Sequence, residues 1–178
     1  MKLSFCETAK FYYLCTMAKQ SINKTNAARL LDKAKIAYEL IPYEVDENDL
    51  AATHVAEELG EPIERVFKTL VLRGDKNGHF VCVIQGDKEV DLKLAAKVSG
   101  NKKCDLIPMK ELLPTTGYKR GGCSPIGLKK PFPTIFHSSV LQHDRIYVSA
   151  GVRGLQIAIA PNDIISFVGA TVADIVME

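Results

Sequence analysis

Two runs of seven residues, Phe67 to Arg73 and His79 to Gln85, stand on either side of Gly74-Asp75-Lys76-Asn77-Gly78. Both runs are rich in β-branched, aromatic and other apolar residues, and the connector is built from turn formers, so the pattern predicts an antiparallel hairpin. A chain carrying such a hairpin has to build a sheet around it. Period two puts Lys68, Leu70 and Leu72 on one face and Phe67, Thr69, Val71 and Arg73 on the other. Lys68 therefore opens an otherwise apolar face, where solubility alone does not call for a lysine. A snorkelling strand-end lysine and a functional one both fit that position.

Around the hairpin the chain alternates short strands and helices without regular βαβ order. Thr25 to Ala37 reads as a helix capped by Thr25, with Ala27, Ala28, Leu30, Leu31 and Ala34 on one stripe. Tyr38 to Val45 reads as a strand that Pro42 confines to an edge. Thr53 to Leu59 is a short helix closed by Gly60, and Pro62 opens a turn to Arg65. Asp87 is expected to cap a helix through Ser99, with Val90, Leu94, Ala95 and Val98 inward and Lys93 and Lys97 outward. Further strands are expected at Lys103 to Ile107, Thr134 to His137, Arg145 to Ser149, Leu155 to Ala160 and Thr171 to Val176. A helical turn at Pro108 to Leu113 and a helix at Pro161 to Val168 complete the reading. The expected class is α+β: one domain over residues 19–178, with helices around a curved, mostly antiparallel, barrel-like sheet. Residues 1–18 show aromatics without a period or cap and are read as an extension, with Met17 as a second possible start.

With 178 residues and 47% hydrophobic composition, a single core is feasible without disulfides or metal. Five cysteines without a C-x-x-C pair suggest neither a zinc site nor a disulfide framework, and a reducing cytoplasm is the expected setting. No run reaches the roughly 18 apolar residues of a membrane span, and the first residues fit a secretory leader poorly. The net charge of +2 conceals an asymmetry: Glu39 to Glu64 holds nine acidic residues and no Lys or Arg, while Lys88 to Lys130 holds ten Lys or Arg against four acids. The basic stretch suits a polyanion such as RNA, and equally two solvated helix faces. The four histidines lie in no metal-binding spacing, and no cofactor motif or serine-hydrolase elbow is present.

Inside the basic stretch lies Gly117-Tyr-Lys-Arg-Gly-Gly-Cys-Ser-Pro-Ile-Gly127. Its four glycines and Pro125 predict a tight, shaped loop whose exposed amides, beside Lys119 and Arg120, can receive an anion or a carbonyl oxygen. A plain surface connection has the same composition. Cys123 is the loop's one thiol, with only Lys119 and Arg120 nearby in sequence to lower its pKa.

Four strings then combine: Phe-Lys-Thr-Leu-Val at 67–71, Leu-Lys-Leu-Ala-Ala-Lys at 92–97, Thr-Gly-Tyr-x-x-Gly-Gly-x-Ser-Pro-x-Gly at 116–127 and Tyr-Val-Ser-x-Gly-x-x-Gly at 147–154. From about Thr25 onward the sequence resembles the YbaK/EbsC family of free-standing aminoacyl-tRNA deacylases, similar to the editing insertion of bacterial prolyl-tRNA synthetase. The resemblance implies a mixed α/β fold, no cofactor, and removal of cysteine wrongly attached to proline tRNA, with the substrate's own thiol attacking its ester; an Ala-tRNA(Pro) deacylase using water and a non-catalytic RNA-binding module are the alternatives. It implies a catalytic site of Lys68, Gly121, Gly122 and Ser124. Tyr43, Tyr118, Cys123, Pro125, Ser149, Gly151 and Gly154 would surround the substrate, and Lys93, Lys97, Lys119 and Arg120 would contact the tRNA. The partner implied is the 3′-end of charged proline tRNA, with prolyl-tRNA synthetase as a further possible partner. The sequence departs from some relatives at Leu50-Ala51-Ala52, where an aromatic is expected, so one pocket wall differs.

Overall fold

The computed structural model describes residues 22–177, so the expected extension at 1–18 lies outside the described residues. The described residues contain eight strands, β1 (Tyr38–Pro42), β2 (Phe67–Gly74), β3 (Gly78–Gln85), β4 (Cys104–Leu106), β5 (Thr134–His137), β6 (Ile146–Ser149), β7 (Leu155–Ile159) and β8 (Thr171–Ala173). Among the described residues there are also five α-helices: α1 (Asn26–Lys33), which precedes β1, and α2 (Ala52–Leu59), α3 (Leu92–Val98), α4 (Met109–Thr116) and α5 (Pro161–Val168) between the strands. The class is α+β, as expected, and four of the six strand pairings are antiparallel.

The strands do not close into a barrel. They form two sheets, ordered β1-β7-β6 and β4-β2-β3-β5-β8, which meet through a single bridge between Val66 and Tyr147. Pro42 ends β1 at the edge of the smaller sheet, where its missing N–H costs no ladder bond. β2 and β3 are the expected hairpin, in register from Phe67 opposite Gln85 to Gly74 opposite Gly78. On the opposite side of β2, β4 pairs only with Leu72 to Gly74, so the edge from Lys68 to Leu70 is left open.

The main core lies between the sheets. Phe67, Val71, Val81, Val83 and Phe136 of the larger sheet meet Ile146, Val148, Ile157 and Ile159 of the smaller, with Leu31 of α1 and Ile164 of α5 at its sides. The other face of the larger sheet packs Leu72, Phe80, Cys82 and Ile84 against Ala95 and Ala96 of α3. The outer face of the smaller sheet packs Tyr147 and Ala158 against Val55 and Ala56 of α2. Period two thus sorts the β2 side chains as the sequence predicts, with Phe67 and Val71 inward and Leu70 and Leu72 toward α3.

Several boundaries differ from expectation. Helix α3 is capped by Asp91, whose carboxylate accepts from the amides of Lys93 and Leu94 at 2.8 and 3.0 Å, whereas Asp87 sits in a turn closed by the Lys88 amide on the Gln85 carbonyl. The shorter helix rests on its small residues, so Ala95 and Ala96 are buried while Leu94 and Val98, expected inward, are exposed at 37% each. Helix α1 stops at Lys33 because Lys35 takes a positive φ of 57°. Pro114 lies inside α4, which runs on to Thr116. The last strand ends at Ala173, and Val176 makes an isolated bridge with Val90.

Candidate active site

The open edge of β2 borders a cleft of about 520 Å³. Phe67 to Val71 form one side, Leu50, Ala51, Ala52 and Val55 at the start of α2 another, and Leu106, Ile107, Met109 and Leu112 a third. Arg120, Gly121 and Cys123 of the glycine loop close it, and Ser149 and Gln156 of the smaller sheet add polar groups to those of Lys68, Thr69 and Arg120. Lys68 and the glycine loop therefore share one cleft, although they are more than fifty positions apart in sequence. Leu50, Ala51 and Ala52, the segment where an aromatic was expected, do line a wall.

Lys68 is half-buried, and its ammonium donates to the Gly86 carbonyl at 3.0 Å. Burial draws its pKa below that of an ordinary lysine, with Glu89 and Asp87 acting in the opposite direction. Gly86 has to be glycine, since a Cβ there would lie 2.5 Å from the Cβ of Ala52. That close approach brings α2 up to the end of β3 and sets the carbonyl that holds Lys68.

The glycine loop is fixed from behind. The Gly122 amide donates to the Lys119 carbonyl at 3.0 Å, so it is occupied within the loop and unsuited to the oxyanion role expected of it. Ser124 is fully buried and its hydroxyl accepts from the Ile126 amide at 3.2 Å; it shapes the turn and does not line the cleft. Pro125 is buried and borders a separate groove with Leu30, Phe132 and Phe167. Gly121 and Cys123 are the members of the Gly121 to Pro125 segment that line the cleft. Arg153 ties the loop to its surroundings: its Nε donates to the Arg120 carbonyl at 2.9 Å and its guanidinium pairs with Glu47.

Tyr118, expected against the substrate, is a strut instead. Its hydroxyl donates to the Ile126 carbonyl at 2.5 Å, and its ring packs so tightly on Gly151 that a Cβ at that residue would come within 2.8 Å of ring carbon Cε1. Gly151 and Gly154 shape the β6–β7 turn with φ of 97° and 82°, conformations that favour glycine. Tyr43 packs beside the α2 cluster, and its amide donates to the Gly154 carbonyl at 3.0 Å; it does not line the cleft. Lys119 is exposed next to Arg120, and Lys93 and Lys97 are exposed on α3, outside the cleft lining. Tyr118→Phe is expected to lower stability by about 1 kcal/mol, because it leaves the Ile126 carbonyl without its donor. A urea melt measures this, and an unchanged midpoint would show that the strut carries no load.

Cys123 is a poor nucleophile in this setting. Burial pushes its thiol up to about 12, with the Thr116 hydroxyl acting in the opposite direction. The cleft lining contains no Asp, Glu or His among the described residues.

Sequence reasoning overlooked Thr69, Arg153 and Gln156. Gln156 did leave a signal, a lone amide in the apolar run Leu155 to Ile159, all of which is buried. Arg153 left none, because the loops it joins are distant in sequence.

The profile of the aminoacyl-tRNA editing domain matches residues 46–167, which includes the hairpin, the glycine loop and the β6–β7 turn. The chain belongs to the aminoacyl-tRNA editing domain family. An Enterococcus faecalis protein provisionally named Cys-tRNA(Pro)/Cys-tRNA(Cys) deacylase EbsC is 48% identical to this editing domain over 88% of the chain and 96% of the relative. Part of a proline–tRNA ligase from Cupriavidus necator is 31% identical over 56% of the chain and 18% of the ligase. A crystal structure described as a proposed trans-editing enzyme for prolyl tRNA synthetase superposes with a TM-score of 0.75 at 21% identity, covering 86% of this chain and 99% of the other. That likeness concerns the fold. No helix among the described residues is long and apolar enough to cross a membrane.

Proposed function

We propose that this editing domain is a free-standing deacylase that removes cysteine wrongly attached to proline tRNA. The observation that carries the reading is a cleft that joins Lys68 to the glycine loop and whose lining, among the described residues, presents no activated nucleophile. The similarity to the E. faecalis protein supports the cysteinyl ester as substrate, and the similarity to part of a proline–tRNA ligase supports proline tRNA as carrier. Cysteine and proline are close in size, and a pocket separates such near-isosteres by only about 10- to 200-fold, so an editing step has a purpose.

In this account the substrate supplies the nucleophile. The cysteine thiol gives up its proton, its sulfur bonds to the ester carbonyl carbon, the bond from that carbon to the ribose oxygen breaks, and the ribose oxygen takes up a proton. The products are a thiolactone, which water later opens, and uncharged tRNA. A positioned intramolecular attack has an effective molarity of about 10⁵ to 10⁸ M, so the protein's task is to hold and stabilise. Amides of Gly121 and Cys123 face the developing oxyanion, and the Lys68 ammonium anchors the amino acid or the terminal phosphate. Arg120 and Lys119 take the terminal backbone phosphates, and Lys93 and Lys97 extend the contact along the tRNA. Prolyl-tRNA synthetase is a natural partner for delivering the charged tRNA.

The test is release of cysteine from cysteinyl-tRNA(Pro) by the purified chain. Acceleration over the buffer rate is expected, and its absence rejects the reading. Cys123→Ser is expected to keep kcat within about threefold of wild type, since a thiol with a pKa of about 12 supplies almost no thiolate at neutral pH. Loss of turnover in that variant would make the protein's own thiol the nucleophile.

A further inference from the structure

Gln156 occupies the middle strand of the smaller sheet, opposite Ser149 on β6 and Ile41 on β1. It is 4% exposed, it lines the cleft, and its Oε1 has no hydrogen-bond partner among the described residues. The same sheet face continues into Tyr147 and Ala158, packed on Val55 and Ala56. A buried amide oxygen without a donor costs stability, and an apolar side chain would satisfy this position better. The unpaired acceptor therefore points to a ligand that brings its own donor.

Thr69 Oγ1, also in the cleft lining, is likewise buried without a partner. The Ser149 hydroxyl accepts from the Gly151 amide at 3.2 Å and keeps its own proton to donate. Two hydroxyls that can donate thus stand with one amide that can accept. An aminoacyl ester offers acceptors in its carbonyl and ribose oxygens, and its strongest donor is the α-amino group. No carboxylate lines the cleft among the described residues, so the amide of Gln156 is the best side-chain acceptor that an ammonium meets there. Charged or neutral, the α-amine keeps an N–H to donate.

We infer that Gln156 is a substrate-recognition residue whose Oε1 accepts a hydrogen bond from the α-amino group of the esterified amino acid. The assignment rests on the deacylase reading and adds the part of the substrate that the smaller sheet recognises. It makes the site selective for a free amino terminus, and so for an aminoacyl-tRNA over one whose amine is already acylated.

The test compares cysteinyl-tRNA(Pro) with its N-acetylated form on wild type, Gln156→Met and Gln156→Glu. In wild type the free amine is expected to raise kcat/KM by roughly 10- to 100-fold over the acetylated ester, the worth of a hydrogen bond to a charged group. Gln156→Met should erase that preference by slowing the free-amine ester toward the acetylated one, whose own rate stays nearly unchanged. Gln156→Glu, which retains an acceptor, should keep the preference, and it carries the test if the methionine variant does not fold. A preference that survives in Gln156→Met, an equal fall on both esters, or loss of preference in a folded Gln156→Glu overturns the assignment. Wild type that deacylates neither ester removes the deacylase reading itself and the assignment with it; wild type that deacylates both equally removes the assignment alone.

Discussion

Lys68→Ala is expected to lower deacylation by about 100- to 1000-fold, the cost of removing one charged or donor group that acts on the reacting ester. The variant should still fold. The Lys68 ammonium is half-buried, and the desolvation of its charge opposes what the bond to the Gly86 carbonyl contributes. Lys68→Arg should be nearly as inactive, because a planar fork does not fit where a compact ammonium reaches one carbonyl beside Ala52 and Gly86. Single-turnover rates with saturating enzyme separate this from weaker binding. Near-normal turnover in Lys68→Ala would remove the residue from the site and leave it as a strand-end side chain bonded to a carbonyl.

The fold was legible where local chemistry decides it. The hairpin from Phe67 to Gln85 follows from two β-rich runs and a turn connector, and the edge position of β1 follows from Pro42. The α+β class and the mostly antiparallel pairing follow the expectation, but the barrel-like sheet is divided into two sheets that do not close. Which strands end a sheet depends on long-range pairing, and a single Val66–Tyr147 bridge in place of a ladder separates two sheets from one. The Asp87 cap failed because Asp91 offers the same chemistry four residues later, and only the turn after Gln85 selects between them.

The site divides in the same way. Lys68 and the glycine loop stood out in sequence because each breaks a local pattern, and both border the cleft. Composition could not show that Tyr118, Ser124 and the Gly122 amide are used up in holding the loop, since this depends on which partners the folded chain brings to them. Arg153 joins Glu47 to the Arg120 carbonyl across three loops, a contact without any sequence signature.

The largest expected effect belongs to the substrate. Proline tRNA charged with serine should react at least about 1000-fold more slowly than the cysteinyl form, although the two esters differ by one atom. A thiol has a pKa of about 8.5 and supplies several per cent thiolate at neutral pH, whereas an alcohol supplies almost no anion. The cleft does not make up the difference, since its lining holds no imidazole or carboxylate among the described residues and the Cys123 thiol is pushed up to about 12. The alanyl ester, with no side-chain nucleophile, should be as slow as the seryl ester. The decisive measurement is the rate of wild type on matched cysteinyl and seryl esters of proline tRNA, with mass spectrometry of the first product under rapid quench. The account predicts fast loss of the cysteinyl ester with a transient cysteine thiolactone and little change in the seryl ester. Equal rates on the two esters, with free amino acid as the first product, would contradict it and assign the attack to water or to the protein.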